Sequence, residues 1–173
     1  MRGMHPSGSG AAIRGGCRGE SVAEILNPER MLEALREFGP IRRVLLATPG
    51  TLQGTLSAYF GAPVTVQVRS QGDGQDHKHF TREVDLVCGA LGVVVCRAQS
   101  RIDVEDEEIR RLIRDRRIGL GQINEVLRVP TTFELEQAGA DGDAFWRVYT
   151  LEGSGFRYRI REEFPADLYP TGA

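Results

Sequence analysis

The apolar and polar positions of this chain change period along its length. Asn27-Pro28-Glu29 reads as a helix start, with an N-cap, a first-turn proline and an acid. Met31, Leu32, Leu35 and Phe38 follow at helical spacing until Gly39-Pro40 stops the run. Val44 to Ala47 is a short apolar run that fits more than one element type. Thr48-Pro49-Gly50-Thr51 predicts a turn into a second helix, with Leu52, Leu56, Tyr59 and Phe60 as its inner stripe and Gly61 as its end.

From Val64 the period becomes two. Val64, Val66 and Val68 alternate with Thr65, Gln67 and Arg69, as in a half-buried strand. Gln71 to Lys78 reads as a polar, glycine-rich loop. Phe80 to Val87 and Val93 to Gln99 read as strands joined into a hairpin by the turn Gly89 to Gly92. Val104 to Arg116 is a charged amphipathic helix with Ile109, Leu112 and Ile113 inside. Gly119-Leu120-Gly121 breaks it, and Gln122 to Leu127 continues as a short helix. Val129 to Leu135, Phe145 to Leu151 and Phe156 to Phe164 are three further strands, separated by Asp141-Gly142 and Gly153-Ser154-Gly155 turns. Helices, strands, a helix pair and strands again give no strand-helix alternation. The pattern therefore predicts an α+β domain, with one antiparallel sheet of about six strands and helices packed against it.

Composition adds bounds. At 173 residues, 40% apolar and 27% charged, the chain suits one domain with a proper core, read as residues 21–173. Residues 1–20, rich in Gly, Ser and Arg and without an apolar stretch, read as a disordered leader and not as a secretory signal. A net charge of −2 gives no bulk attraction for nucleic acid. No apolar run reaches a membrane-spanning length. Three cysteines, Cys17, Cys88 and Cys96, show neither a disulfide framework nor metal-ligand spacing. The expectation is a cytoplasmic protein with no metal and no cofactor, acting on a small molecule as a monomer or small homo-oligomer.

Three separated pieces carry the candidate chemistry. Arg82 shares a strand face with Phe80, Val84 and Leu86, where a cation is unfavourable unless paired. It is either an internal ion-pair partner of an acid such as Glu83 or Glu163, or a receptor for a planar carboxylate. Glu162 shares a face with Ile160 and Phe164, so it is either paired, with Arg82 as a candidate, or kept protonated and able to donate. Gly119-Leu120-Gly121 is either a helix-helix turn or a place where the first N–H groups of the next helix meet an anion. His77 and His79 read as a solvated loop, and Ser100 lacks the partners of a nucleophile.

In order and spacing these pieces resemble the chorismate pyruvate-lyase family, over roughly Leu26 to Tyr169. The strand Arg82-Glu83-Val84 is similar to the family's arginine strand, and Leu120-Gly121 to its helix-Leu-Gly-helix turn. Glu162-Glu163-Phe164 with Pro165 to Tyr169 resembles its terminal acid strand, and Thr48 to Leu52 its early flap. The closer likeness is to the compact branch found in actinobacteria and cyanobacteria. The resemblance implies a cofactor-free lyase that converts chorismate to 4-hydroxybenzoate and pyruvate. Arg82 would hold the ring carboxylate. Glu162 would assist loss of the enolpyruvyl group as general acid or hydrogen-bond partner. Leu120 and Gly121 would offer backbone N–H groups, and Ser100 and Thr51 would line the pocket, the latter from the flap. Ser100 stands where the enterobacterial branch has a second arginine. Arg101, one place on, is expected on the other sheet face. Gly119 stands where proline is common. The same fold serves as the UTRA-type sensor domain of bacterial regulators, so a sensor of small aromatic acids, a degenerate homologue and a lyase for a modified chorismate are the alternatives. The stretch before the sheet, about 40 residues without a basic recognition helix, reads against a regulator.

Overall fold

The computed structural model describes residues 28–115 and 118–171. The expected leader and the N-cap Asn27 lie outside these residues. Among them, five α-helices and six strands occur in the order α1 (Pro28–Ala34), α2 (Pro40–Ala47), α3 (Leu52–Phe60), β1 (Val64–Asp73), β2 (His79–Cys88), β3 (Val93–Val104), α4 (Glu107–Asp115), α5 (Leu120–Leu127), β4 (Thr132–Asp141), β5 (Ala144–Gly153) and β6 (Phe156–Pro165). The strands form one antiparallel sheet in the order β1-β2-β3-β6-β5-β4. Each half of the chain makes a three-stranded meander, and β3 joins β6 at the centre. The fold is α+β, as the pattern predicts.

Several boundaries differ from the sequence reading. The ambiguous run Val44 to Ala47 is helical, because Pro40 occupies the first turn of α2 with its φ already set. Strand β1 continues to Asp73 through the expected loop. Val68 faces Val84 but Ser70 faces Glu83, so Arg69 is a bulge that breaks the period-two signal. Strand β3 runs to Val104, and the helix expected from there starts at Glu107. Asp106 caps it, its Oδ1 accepting the Ile109 N–H at 2.9 Å. Strand β4 begins at Thr132 and extends past Leu135 through a second bulge at Glu136.

All helices lie on one face of the sheet. That face carries Phe80, Leu86, Cys96, Ile102, Phe145, Leu151, Tyr158 and Phe164, all buried. The other face is rich in charged side chains and largely exposed, apart from Asp85, Val148 and Thr150, which are buried on it. Two apolar clusters form beneath the helices. One packs α2 and α3 against Leu86, Cys88, Phe145, Phe164 and Tyr169. The other packs α4 and α5 against Phe80, Ile102, Leu151, Phe156 and Tyr158. Between them the sheet presents Arg82, Ser100 and Glu162.

The C-terminus closes the first cluster. Arg42 of α2 donates to the carbonyls of Ala166 (3.0 Å) and Tyr169 (2.8 Å). The Tyr169 ring meets Tyr59, Phe60, Phe145 and Phe164. Its hydroxyl donates at 2.7 Å to the carbonyl of Val95, the extra residue of a bulge in β3. Tyr169→Phe should lower stability by about 1–3 kcal/mol, since that buried carbonyl loses a donor. Tyr169→Ala should lower it by about 3–5 kcal/mol through the cavity it leaves. Urea denaturation monitored by fluorescence checks both values, and a Tyr169→Phe variant as stable as wild type would contradict the role of the hydroxyl.

Candidate functional site

The gap between the two clusters is a pocket. Its floor is the centre of the sheet, with Val66 of β1, Arg82, Val84 and Leu86 of β2, Ala98 and Ser100 of β3, Ile160 and Glu162 of β6, and Tyr149 of β5. Its walls are Gly50 to Gln53 at the start of α3 and Gly119 to Gln122 at the start of α5. The non-atom space inside, open mouth included, is ≈ 540 Å³. Every candidate taken from the sequence, namely Arg82, Glu162, Leu120, Gly121, Ser100 and Thr51, lines this pocket. Pairing register explains why. Arg82 faces Ser100, Ser100 faces Ile160, and Ala98 faces Glu162, so adjacent rows of one sheet face bring them together.

Arg82 is 2% exposed, and its Nη2 donates at 2.8 Å to the carbonyl of Ile118, just before α5. The acids considered as its partners lie elsewhere. Glu83 is exposed on the open face. Glu163 is on the open face too, beside Arg161 at 3.4 Å. Glu162 is 5% exposed and pairs with an arginine that the sequence reading passed over. Arg147 of β5 stands directly opposite it in register and donates from Nε to Glu162 Oε2 at 2.7 Å. The Tyr149 hydroxyl donates to Oε1 at 2.9 Å. The signal for Arg147 was present in the sequence. Phe145, Arg147, Tyr149 and Leu151 alternate on one face, the same reasoning that singles out Arg82.

The electrostatics follow from burial. Leaving water works against the Arg147 charge, but the adjoining Glu162 more than offsets this and holds its pKa above the ordinary value. Burial, reinforced by the Glu162 charge, pushes the Tyr149 phenol and the Cys96 thiol well up, so both stay neutral. Glu162 is thus paired with a guanidinium and held by a phenol donor.

At the other end, α5 begins at Leu120, and Gln122 Oε1 takes the Gly119 N–H at 2.9 Å. The first helical N–H groups, from Leu120 onward, have no intrahelical acceptor and carry the positive end of the helix dipole. Thr51 reaches across from the opposite wall and donates its hydroxyl to Glu125 Oε1 of α5. Arg101 is exposed on the open face opposite Arg159, where the one-residue offset puts it. His77 and His79 lie at the exposed β1–β2 turn beside Asp73 and Asp76. Among the described residues no group of three His, Cys, Asp or Glu side chains is placed to hold a metal ion. Among them, too, no helix is long and apolar enough to cross a membrane.

No family model matches the chain, and no curated protein does. The likeness to chorismate pyruvate-lyases therefore rests on the residues themselves and is a proposal.

Gly121 marks where the two walls meet. A Cβ there would stand 3.2 Å from Thr51 Cγ2 and 3.3 Å from the Gly50 carbonyl. Gly121→Ala should keep the helix, whose propensity favours alanine by about 1 kcal/mol, but push the Gly50–Thr51 turn outward. Amide exchange at Gly50 and Thr51 should quicken with little change in melting temperature. Unchanged exchange there would mean that the walls do not constrain each other.

Proposed function

We propose that this protein is a chorismate pyruvate-lyase, converting chorismate to 4-hydroxybenzoate and pyruvate without a cofactor. The observation that carries this reading is one pocket with a buried cation and helix N–H groups at one end and a buried, paired glutamate at the other. Arg82 and Glu162 stand on strands two places apart, about 10 Å across the sheet. Apolar Val84, Leu86, Ala98 and Ile160 lie among them. Such a site suits a small ring with a carboxylate at one end and an oxygen function at the other.

In this reading Arg82 and the Leu120 and Gly121 amides bind the ring carboxylate, a charge-assisted arrangement that fixes orientation. Glu162, a carboxylate in its pair with Arg147, accepts a hydrogen bond from the ring hydroxyl. That favours the hydrogen-bond role over the general-acid role of the two that the resemblance implies. The ether bond between ring and enolpyruvyl oxygen breaks, and the ring carbon bearing the hydroxyl loses its proton. The enolpyruvate takes up one proton and tautomerises to pyruvate, so the step balances without an outside acid. Aromatisation drives it. Thr51 and the turn before α3 cover the bound ring, and Ser100 lines the floor beside Arg82. Cys88 and Cys96, buried free thiols, accord with action in the cytoplasm.

The test is incubation of the purified protein with chorismate in the presence of a chelator, with 4-hydroxybenzoate followed by chromatography. Wild type should form product. Glu162→Gln should lower kcat by about 10²–10³ with a small change in KM, as expected for a group working mainly in the transition state. Arg82→Ala should weaken binding of 4-hydroxybenzoate about 10- to 100-fold, the equivalent of one charge-assisted contact. Tight binding of 4-hydroxybenzoate without turnover would replace the lyase with a sensor of small aromatic acids. Neither turnover nor binding would remove both readings.

A further inference from the structure

Arg147 does more than neutralise Glu162. Its side chain is fully buried, and its donors point in two directions. Nε serves Glu162, whereas Nη1 donates to the carbonyls of Leu46 at 3.0 Å and Thr48 at 2.7 Å. Leu46 lies in the last turn of α2 and Thr48 is its C-cap. These are carbonyls of the kind that a helix C-terminus leaves without intrahelical donors, at the negative end of its dipole, where a cation is favourable. Two residues beyond Thr48 the chain enters the wall of the pocket at Gly50 and Thr51. The guanidinium also lies over the Tyr149 ring, 4.4 Å from its centroid, and Tyr149 donates to the second oxygen of Glu162.

One planar group thus holds the pocket's carboxylate and the base of the turn that walls the pocket. A buried ion pair adds little net stability over well-packed apolar residues, so its main effect is what it fixes in place. Lysine could not do the same. Its donors radiate from one atom, while the arginine fork presents Nε and Nη1 to separate partners.

We propose that Arg147 is the positioning residue of this site, coupling the Thr48–Thr51 turn to Glu162 so that the cover and the carboxylate of the pocket move together. This rests on the reading of Glu162 as the working carboxylate. When the turn swings out, its Thr48 carbonyl leaves Nη1, and the guanidinium is released from one side of its clamp. Glu162 then loses its fixed donor. Closure of the turn over a ligand restores both contacts. Chemistry is thereby confined to the closed pocket.

The charged and titratable groups around Glu162 are few: Arg147 and Tyr149 on β5, Cys96 on β3, and Arg82 of β2 lining the same pocket. The helical layer brings the neutral carbonyls of Leu46 and Thr48 to Arg147.

Two variants separate the charge from the fork. Arg147→Lys keeps a cation and loses the bridging geometry, whereas Arg147→Met loses both. Carbon NMR of the Glu162 carboxyl, assigned by its absence in Glu162→Gln, reports its surroundings. Amide exchange reports the Gly50–Leu52 turn. Both variants should speed exchange in the turn by about 10-fold or more, the mark of a lost local restraint. Arg147→Met should shift the Glu162 carboxyl resonance further than Arg147→Lys does, because it also removes the cation beside it. In turnover of chorismate, kcat should fall in both variants with KM changed less.

The exchange and carboxyl NMR measurements need no substrate. A wild type inert toward chorismate would therefore defeat the lyase reading without touching the coupling. Turn exchange equal to wild type in Arg147→Lys would overturn the coupling, even if Arg147→Met fails to fold.

Discussion

An arginine and a glutamate on the apolar face of a sheet must answer each other's charge, because neither can keep its hydration beneath a layer of helices. Arg147 and Glu162 do so across adjacent strands. Much of the site's arrangement depends on this contact. It holds Glu162 in place and anchors the end of α2, while burial keeps Tyr149 and Cys96 neutral beside it. Arg82, equally buried on β2, is held against the chain entering α5. The two arginines thus tie the two helical groups to the same sheet from opposite sides of one pocket.

The pocket exists because the helices fall into two groups that do not merge. The first meander is preceded by α1 to α3, and the excursion between the meanders carries α4 and α5. Each group completes its own apolar cluster, one closed by Tyr169 and the other by Tyr158 and Phe156. Along the seam the sheet face is left to Arg82, Ser100 and Glu162, and the seam is roofed by two short turns in contact at Gly50, Thr51 and Gly121. A walled site can therefore form without a long lid, because the walls are the starts of two helices.

Much of this was legible along the chain. Alternation placed Arg82 and Glu162 on the inner face, and Gly119 marked the break before α5, although Leu120 and Gly121, expected in that break, form the first turn of the helix. Turn signals at Asp141-Gly142 and Gly153-Ser154-Gly155 marked the last hairpins, where Gly142 and Gly155 take positive φ. Misplaced boundaries have local causes. The bulges at Arg69 and Glu136 shift the side-chain phase, so the period-two signal stops while the strand continues. The end of β1 is polar on both faces, and backbone pairing with β2 carries it.

The sequence shows which charged residues share the inner, apolar face, since period and apolar neighbours decide which face a side chain takes. That includes Arg147, whose alternation with Phe145 and Tyr149 is as clear as that of Arg82. It could not determine who pairs with whom. Glu162 meets Arg147 and not Arg82 because β6 lies between β3 and β5 and its register sets residue 162 against residue 147. Strand order and register are long-range choices, settled by how both meanders and both helical groups bury their apolar faces together. Only the tertiary structure could make that choice, and the assignment of Glu162 as a paired carboxylate follows from it.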